Sequence, residues 1–295
     1  MATPADDKLL SRLQQKTFGY FINEINLTNG LVRDRTDPAA PCSIAATGLA
    51  LAAYPIGVAR GYLSREDAIR RTLACLRFFS TSAQGTEKDA TGYKGFYYHF
   101  LDMQTGRRVW KCELSSVDTA FLLAGMLTAA EYFALDNPEE SEIRTLAKQL
   151  YERVDWQWML NGGPTLSHGW RPERGFIRYR WQGYSEALLL YILALGSPTH
   201  PVPEETYTAW ASSYRWKKIY GTEYLYSGPL FTHQLSHVWV DFRGIRDPFM
   251  QSKQSDYFEN SRRATQLQRE YATRNPMQFT GYCEECWGFT ASDGP

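Results

Sequence analysis

The stretch WQGYSEALLLYILALGSPTHP, Trp181–Pro201, contains an almost unbroken apolar run from Ala187 to Leu195. Ser185 precedes this run and Gly196 follows it, which are residue types typical of the start and the end of a helix. A helix that is apolar on all sides is buried, because none of its faces is compatible with water. The stretch therefore predicts a helix in the interior of an all-α fold.

Buried and amphipathic helices alternate along the rest of the chain. Helices that are apolar on most sides are predicted at residues 44–60, 115–135, 185–195 and 229–240, and helices with a charged face at 65–80, 138–158, 204–217 and 256–273. An amphipathic helix covers a core, so the alternation predicts an inner ring of helices wrapped by an outer ring. A helical-repeat solenoid would alternate similarly, but no fixed repeat is apparent. Short hairpin strands are predicted near Phe96–Leu101 and Phe176–Tyr179.

Capping residues mark several helix starts. Ser43, Ser64 and Ser115 each precede a predicted helix, and Asn137 stands before a proline at the first helical position. Asp118 lies three residues after Ser115, so a capping role and a chemical role stay open for its carboxylate.

Composition excludes several classes of protein. Lys and Arg together number 32, as do Asp and Glu, so the formal net charge is zero and no basic nucleic-acid surface is indicated. No apolar run is long enough to span a membrane. Cys283 and Cys286 form a lone CxxC without a second ligand pair, so neither a metal nor a cofactor is expected. The 15% of aromatic residues indicates a large core and suits a sugar-binding groove.

The N-terminal residues MATPADD lack the basic and apolar regions of a signal peptide. Two interpretations stay open: a cytoplasmic protein, or an exported protein whose leader is replaced by a start methionine.

Polar and aromatic side chains are concentrated just before the predicted buried helices. Glu113 and Glu186 are the acidic residues nearest to two of these starts, while Arg33 and Asp34 precede a third. If the inner helices are parallel, these segments meet at one end of the ring, where helix N-termini favour oxygen-rich ligands.

Glu186 is the strongest candidate for chemistry. A carboxylate at a helix start stabilises the helix by about 0.3–1 kcal/mol, which alone could explain it. Trp181 and Tyr184 would also desolvate this carboxyl, and desolvation raises the pKa of an acid toward the range that a general acid needs. With Glu113 or Asp118 as a second carboxyl, the set resembles the working parts of glycoside hydrolysis.

The remaining candidates are more ambiguous. His233 and His237 lie four residues apart but lack the glutamate of a zinc-binding HExxH motif, which favours a ligand hydrogen bond over a metal. Asp241 and Arg243 could instead belong to an ion-pair network, and Glu259 could cap a helix.

Eight motifs of this chain resemble one known family. They are GLVRDR, SIAATG, GFYYHFLD, ELSSVDTAFLLAG, RVDWQWM, GYSEALLLYILALGSPTHP, GPLFTHQLSHVWVDFRGIRD and DYFENSRRAT, and the match runs from about residue 10 to 294. The sequence is identified as a member of the glycoamylase-like family, glycoside hydrolase family 144. The resemblance implies an (α/α)6 toroid and endo-acting hydrolysis of β-1,2-glucan with inversion, releasing sophorose and short oligosaccharides. The sequence is also similar to the transglycosylase domain of cyclic β-1,2-glucan synthases, which acts with retention of the anomeric configuration.

The resemblance also implies roles for individual residues. Glu186 of GYSEA is expected to be the general acid, and Glu113, with Asp118 behind it, the base or water-orienting group. The expected substrate-binding residues are Arg33, Asp34, Tyr98, Trp170, Trp181, Tyr184, His233, Asp241, Arg243 and Glu259. The expected partner is a β-glucan oligosaccharide or polysaccharide, and the resemblance implies a periplasmic or secreted protein.

The chain departs from the family pattern in length. The sequence predicts about nine helices, whereas the toroid has twelve, so residues 1–295 are expected to form a single domain lacking its C-terminal part. A non-catalytic glucan-binding toroid or an inactive fragment is therefore the competing hypothesis. A polysaccharide lyase is a more distant one, because a lyase would need a cationic groove.

Overall fold

The computed structural model of the chain describes residues 4–290. These residues form two compact units. The first runs up to Asn161 and also contains Ser167–Tyr179 and Gly196–Pro201, while the second contains Gly162–Leu166, Arg180–Leu195 and the residues from Val202 onward. The expectation of a single domain over residues 1–295 stays a prediction.

The first unit is mainly helical, as predicted. Its helices are α1 (Pro4–Asn23), α2 (Ile44–Ala59), α3 (Arg65–Thr81), α4 (Ser116–Tyr132), α5 (Pro138–Glu152) and α6 (Trp156–Leu160). The predicted caps are confirmed for α2 to α5. In each, the cap side chain accepts a hydrogen bond from the third helical N–H: Ser43 from Ala46, Ser64 from Asp67, Ser115 from Asp118 and Asn137 from Glu140.

Short strands join these helices. They are β1 (Cys42–Ser43), β2 (Gly92–Tyr93), β3 (Phe96–Tyr98), β4 (Phe100–Leu101), β5 (Leu114–Ser115), β6 (Gly169–Arg171) and β7 (Gly175–Phe176). The order β2-β3-β5-β6-β7 forms one antiparallel sheet, and β1 pairs with β4. The strand predicted near Phe96–Leu101 is two strands, β3 and β4, interrupted at His99, and the one predicted near Phe176–Tyr179 ends at Phe176.

The segment β3–β4 brings the starts of α2 and α4 together. Ser43, at the end of β1, is opposite Phe100, and Ser115, at the end of β5, is opposite Tyr97. Because α2 follows β1 directly and α4 follows β5 directly, both buried helices begin beside the same short segment.

A pair of glycines brings α2 and α4 into backbone contact. A Cβ atom placed on Gly125 would lie 2.0 Å from the carbonyl oxygen of Gly48, and one placed on Gly48 would lie 2.3 Å from the oxygen of Phe121. Nothing larger than hydrogen fits at either position, so the two helices cross more closely than side chains would allow.

The amphipathic helices α3 and α5 pack against each other across their charged faces. The Arg65 guanidinium donates to both carboxylate oxygens of Glu140, at 2.8 and 2.7 Å, and Glu140 is 1% exposed. Glu140 also accepts from the backbone N–H of Leu135, so its buried charge is fully satisfied. Arg77 and Glu142 repeat the pairing nearer to the surface.

The second unit contains mostly short elements and one long helix. They are α7 (Ala187–Leu195), α8 (Glu204–Ala211), β8 (Trp216–Ile219), β9 (Thr222–Leu225), α9 (Phe231–Gln234), a 3-10 turn (Leu235–Val238), α10 (Pro248–Ser252) and α11 (Tyr257–Arg274). Seven of the nine residues of α7 are buried, although Ile192 is exposed, and the Tyr191 ring stacks on Trp210 with centroids 4.5 Å apart. The buried helix predicted from the apolar run is therefore confirmed.

Two helix predictions in the second unit are wrong in extent. The helix predicted at residues 204–217 ends at Ala211, because Trp216 begins a hairpin that turns at Tyr220 and Gly221, both with positive φ. The helix predicted at 229–240 is a single α-helical turn followed by a 3-10 turn. Within residues 4–290, no helix is both long enough and apolar enough to cross a bilayer.

We expect Gly125→Ala to lower the free energy of unfolding by about 1–3 kcal/mol, because the added methyl must separate α2 from α4. Gly19→Ala in α1 is the matched control, since its Cβ would meet only the Asn23 amide at 3.9 Å. Alanine is the better helix former, so the control should be neutral or stabilising by up to about 1 kcal/mol. Urea unfolding of both variants measures the difference, and equal stability of Gly125→Ala and the parent would contradict the close crossing.

Candidate active site

Two acids, a histidine and an arginine form a cluster in the first unit. His99 Nδ1 lies 3.2 Å from Glu113 Oε1, and His99 Nε2 lies 3.7 Å from Asp118 Oδ2. Arg171 donates to the other oxygen of Glu113 at 3.2 Å. The side chains of Glu113 and Asp118 keep 23% and 14% of their surface exposed, so both are largely desolvated but reachable.

Strand pairing brings three members of this cluster together. Glu113 immediately precedes β5, and its carbonyl oxygen accepts a hydrogen bond from the N–H of His99, which immediately follows β3. Arg171 ends β6, the strand on the other side of β5. Neighbouring positions on three adjacent strands thus place the cation, the anion and the imidazole within hydrogen-bonding reach.

Asp118 is not needed to cap α4. Ser115 accepts from the N–H of Asp118 at 3.2 Å, and Ser43 makes the same bond at 3.3 Å to the N–H of Ala46, at the equivalent position of α2. The cap therefore forms equally well when that residue has no carboxylate. The Asp118 carboxylate instead accepts from the Ser115 hydroxyl and faces His99, which favours the chemical role over the purely structural one.

The two carboxyls have opposite electrostatic environments. The hydrogen bond from His99, together with that from Arg171, lowers the pKa of Glu113 to about 2, against the effect of burial. Burial raises the pKa of Asp118 above its ordinary value, although the His99 charge and the Ser115 hydroxyl oppose this. At neutral pH Glu113 is an anion, whereas Asp118 is the acid that holds a proton more readily.

Other predicted residues of the first unit lie around or beneath this cluster. Asp34 is exposed, and its charge acts on His99. Arg33 is held by Glu24 at 3.3 Å and by the carbonyl of Pro38 at 2.6 Å. Its side chain lines a cavity of about 260 Å³ together with Asp102 and Trp110, among others.

The aromatic candidates of this unit differ in exposure. Tyr98 is fully buried beneath the Arg108 guanidinium, 4.6 Å from its ring centroid, which gives it a packing role in this structure. Trp170 is partly exposed and lies against Tyr93 and Trp158, with centroids 5.3 and 5.8 Å away.

Glu186 belongs to the second unit, one residue before α7. It is partly buried, and its carbonyl oxygen accepts from the Ser236 hydroxyl at 3.3 Å. Trp181 and Tyr184, which precede it, are 7% and 4% exposed, and the Tyr184 ring stacks on Tyr257. Glu186 therefore follows a segment with two buried aromatic side chains.

The other candidates of the second unit have protein partners. His233 is buried, with its ring nitrogens near the Ser227 carbonyl and the Asn260 amide, and burial lowers its pKa to about 4, so it is neutral at physiological pH. Asp241 pairs with Arg243 on the surface. Glu259 accepts from Arg262 and Arg263, because all three lie on the first turns of α11.

The sequence did not predict the roles of His99 and Arg171 in this cluster. His99 follows β3 and Arg171 ends β6, and both strands pair directly with β5, the strand that follows Glu113, which only the register reveals. Among the residues that the structure describes, no three His, Cys, Asp or Glu side chains form a set that could hold a metal.

We expect Glu113→Gln to be destabilising at neutral pH by about 1–3 kcal/mol, because His99 and Arg171 lose an ionic partner. The pKa of Glu113 is lowered in the folded protein, so its stabilisation is complete above the unfolded value and is lost as the pH falls toward about 2. The gap between parent and variant in urea midpoint should therefore narrow on acidification.

Glu131→Gln provides the control, since Glu131 is exposed on α4. It should track the parent across the same pH series. A gap between the parent and Glu113→Gln that stays constant down to the acid limit of folding would contradict the ionised state of Glu113.

Comparisons with known proteins add to this geometry. Residues 178–295 match a family model described as "Glycoamylase: Putative glucoamylase". A curated relative, the exo beta-1,2-glucooligosaccharide sophorohydrolase (non-reducing end) of Parabacteroides distasonis, is 28% identical over 323 residues. The alignment covers 98% of this chain but 43% of that protein, so the chain spans less than half the length of this relative.

Solved structures match over the whole chain. A protein described as a "putative glucoamylase" from Bacteroides uniformis is 30% identical, with a TM-score of 0.89, over 100% of this chain and 73% of its own. The endo-beta-1,2-glucanase from Chitinophaga pinensis, solved with sophorotriose and glucose, is 28% identical, with a TM-score of 0.84, over 99% and 73%. The motifs, the family match and the 30% identity over the whole of this chain agree, and the chain belongs to the glycoamylase-like family.

Proposed function

We propose that this chain is a glycoside hydrolase that acts on β-1,2-glucan. The observation that carries the reaction type is the partly exposed Glu113 carboxylate, which His99 and Arg171 hold in its ionised form. Glycoside hydrolysis needs an ionised carboxylate as base together with a second carboxyl that donates a proton. The substrate is inferred from the two relatives named for acting on β-1,2-linked glucans.

In this mechanism Glu186 is the general acid, which protonates the departing glycosidic oxygen. Its support is the partly buried position at the start of α7, directly after the buried aromatic side chains of Trp181 and Tyr184. Glu113 is the base, which takes a proton from the attacking water directly or through a sugar hydroxyl. Its ionised state suits that role, and Asp118 is the second candidate for it.

We further propose that the cleavage is endo-type and inverts the anomeric configuration. The Chitinophaga relative is named as an endo enzyme and the Parabacteroides relative as an exo enzyme, so the mode of cleavage is tested by products. An endo enzyme releases oligosaccharides of several lengths at early times, whereas a sophorohydrolase releases one disaccharide. Inversion is tested by the anomer that NMR detects first.

We also propose that the helices belong to an (α/α)6 toroid. In the first unit, buried α2 is followed by amphipathic α3, and buried α4 by amphipathic α5. The two buried helices pack together and so do the two amphipathic ones. This inner-and-outer arrangement is the repeated element that a double ring of helices requires.

We expect Glu186→Gln to reduce the cleavage of linear β-1,2-glucan by about 100-fold or more, the contribution typical of a general acid. Binding of the glucan should persist, because glutamine keeps the shape and hydrogen-bonding ability of the side chain. Chromatography of the products measures cleavage, and thermal stabilisation by the glucan measures binding.

Glu204→Gln is the control for this experiment, because Glu204 is an exposed first-turn residue of α8 in the same unit. It should cleave like the parent. Unchanged cleavage by Glu186→Gln would remove Glu186 from the mechanism. Stabilisation of the parent by the glucan with no cleavage at all would favour the competing hypothesis of a glucan-binding protein.

A further inference from the structure

His99 occupies a bridging position between the two acids of the first unit. Its Nδ1 faces Glu113 Oε1 at 3.2 Å, and its Nε2 faces Asp118 Oδ2 at 3.7 Å. The ring is fixed by stacking on Phe100, with centroids 3.9 Å apart and planes 14° from parallel. A ring held in this way directs one nitrogen toward each carboxyl.

The charges around His99 favour its protonated form. Glu113, Asp118 and Asp34 all contribute negative charge, from the segment before β5, from α4 and from the loop before β1. Arg171, on β6, pairs with the oxygen of Glu113 that His99 does not reach. Burial disfavours the cation, but the hydrogen bond to Glu113 and the charges of the acids outweigh it, so the pKa of His99 rises above its ordinary value.

Only the protonated ring can donate to both acids while both are ionised. A neutral imidazole carries one N–H and presents a lone pair at its other nitrogen, which would face a carboxylate oxygen unfavourably. The imidazolium presents an N–H at each nitrogen and interacts favourably with both. Loss of this proton would leave at least one of the two contacts unfavourable, in a site that is largely desolvated.

We propose that His99 is a positioning residue whose imidazolium, bridging Glu113 and Asp118, keeps Glu113 ionised and correctly oriented for its role as base. The inference rests on the proposed function for the role of Glu113, whereas the bridge itself is a property of the folded chain. Arg171 holds the second oxygen of Glu113, so the carboxylate is fixed by two cations.

The bridge is tested without any substrate by NMR titration of the five histidine side chains. His99→Gln identifies the His99 resonance, or, if that variant does not fold, substitutions of the other four histidines identify it by elimination. We expect His99 to titrate above its ordinary value, and Glu113→Gln and Asp118→Asn each to lower its titration midpoint by about one pH unit. Glu131→Gln should leave the midpoint unchanged.

A titration midpoint at or below the ordinary histidine value would overturn the proposal. So would a midpoint that neither Glu113→Gln nor Asp118→Asn lowers. These outcomes concern only the bridge, and they hold whether or not the chain cleaves a glucan.

The effect on catalysis is tested by the pH profile of kcat/KM on linear β-1,2-glucan. Without the imidazolium, the pKa of Glu113 moves up toward the ordinary glutamate value, so the acid limb of the profile should move up by about one pH unit or more in His99→Gln. His200→Gln, a substitution of another histidine of the first unit, should keep the parental profile. A uniform loss of rate in His99→Gln, with the acid limb unmoved, would reveal a merely structural residue and contradict the positioning role.

Discussion

The site in the first unit depends on the hydrogen-bonding requirements of one short segment, Phe96–Leu101. Its buried backbone groups must be paired, and two of the strands that pair with it, β1 and β5, lead into α2 and α4. The starts of two buried helices are thereby fixed beside each other. Glu113 and His99 lie at the ends of two of these strands, so their side chains meet because their backbones are paired.

The electrostatics of the cluster follow from this placement. Two carboxyls brought together in a largely desolvated position repel each other unless cations separate them. His99 lies between Glu113 and Asp118, and Arg171 neutralises Glu113 from the other side. The result is unequal: Glu113 has two cationic partners, whereas Asp118 has one more distant cation and a hydroxyl. The pKa of Glu113 is therefore lowered chiefly by the hydrogen bond from His99, whereas the pKa of Asp118 is raised chiefly by burial.

The sequence predicted those features that local physics determines. Ser43, Ser115 and Asn137 cap helices as expected, because a cap involves only three or four consecutive residues. The apolar run at Ala187–Leu195 is helical and buried because it has no polar face to expose. Features that depend on the pairing of strands were predicted less well. The hairpin that begins at Trp216 was not predicted, because its strands of four residues are too short to be identified by the alternation of polar and apolar residues.

The sequence could not predict the composition of the cluster. His99 stands next to aromatic residues in FYYHFLD and carries no signal of its own, because its partners come from pairing across β3 and β5. Glu113 was a candidate from its position before a helix, but its ionised state depends on His99 and Arg171. The positions of acids relative to helix starts can thus be read from the sequence. Their protonation states depend on which residues the strand register places beside them, and the sequence does not show this.

The starts of α2 and α4 are built on the same plan. In both, a threonine lies four residues after the serine cap, and its hydroxyl accepts a hydrogen bond from a backbone N–H. Thr47 accepts from Val32, and Thr119 accepts from Tyr97. They differ at the third helical position, where α2 has Ala46 and α4 has Asp118. One scaffold thus occurs twice, once with an acid and once without. A carboxyl can therefore be gained or lost at such a junction by a single codon change, while the serine cap stays the same.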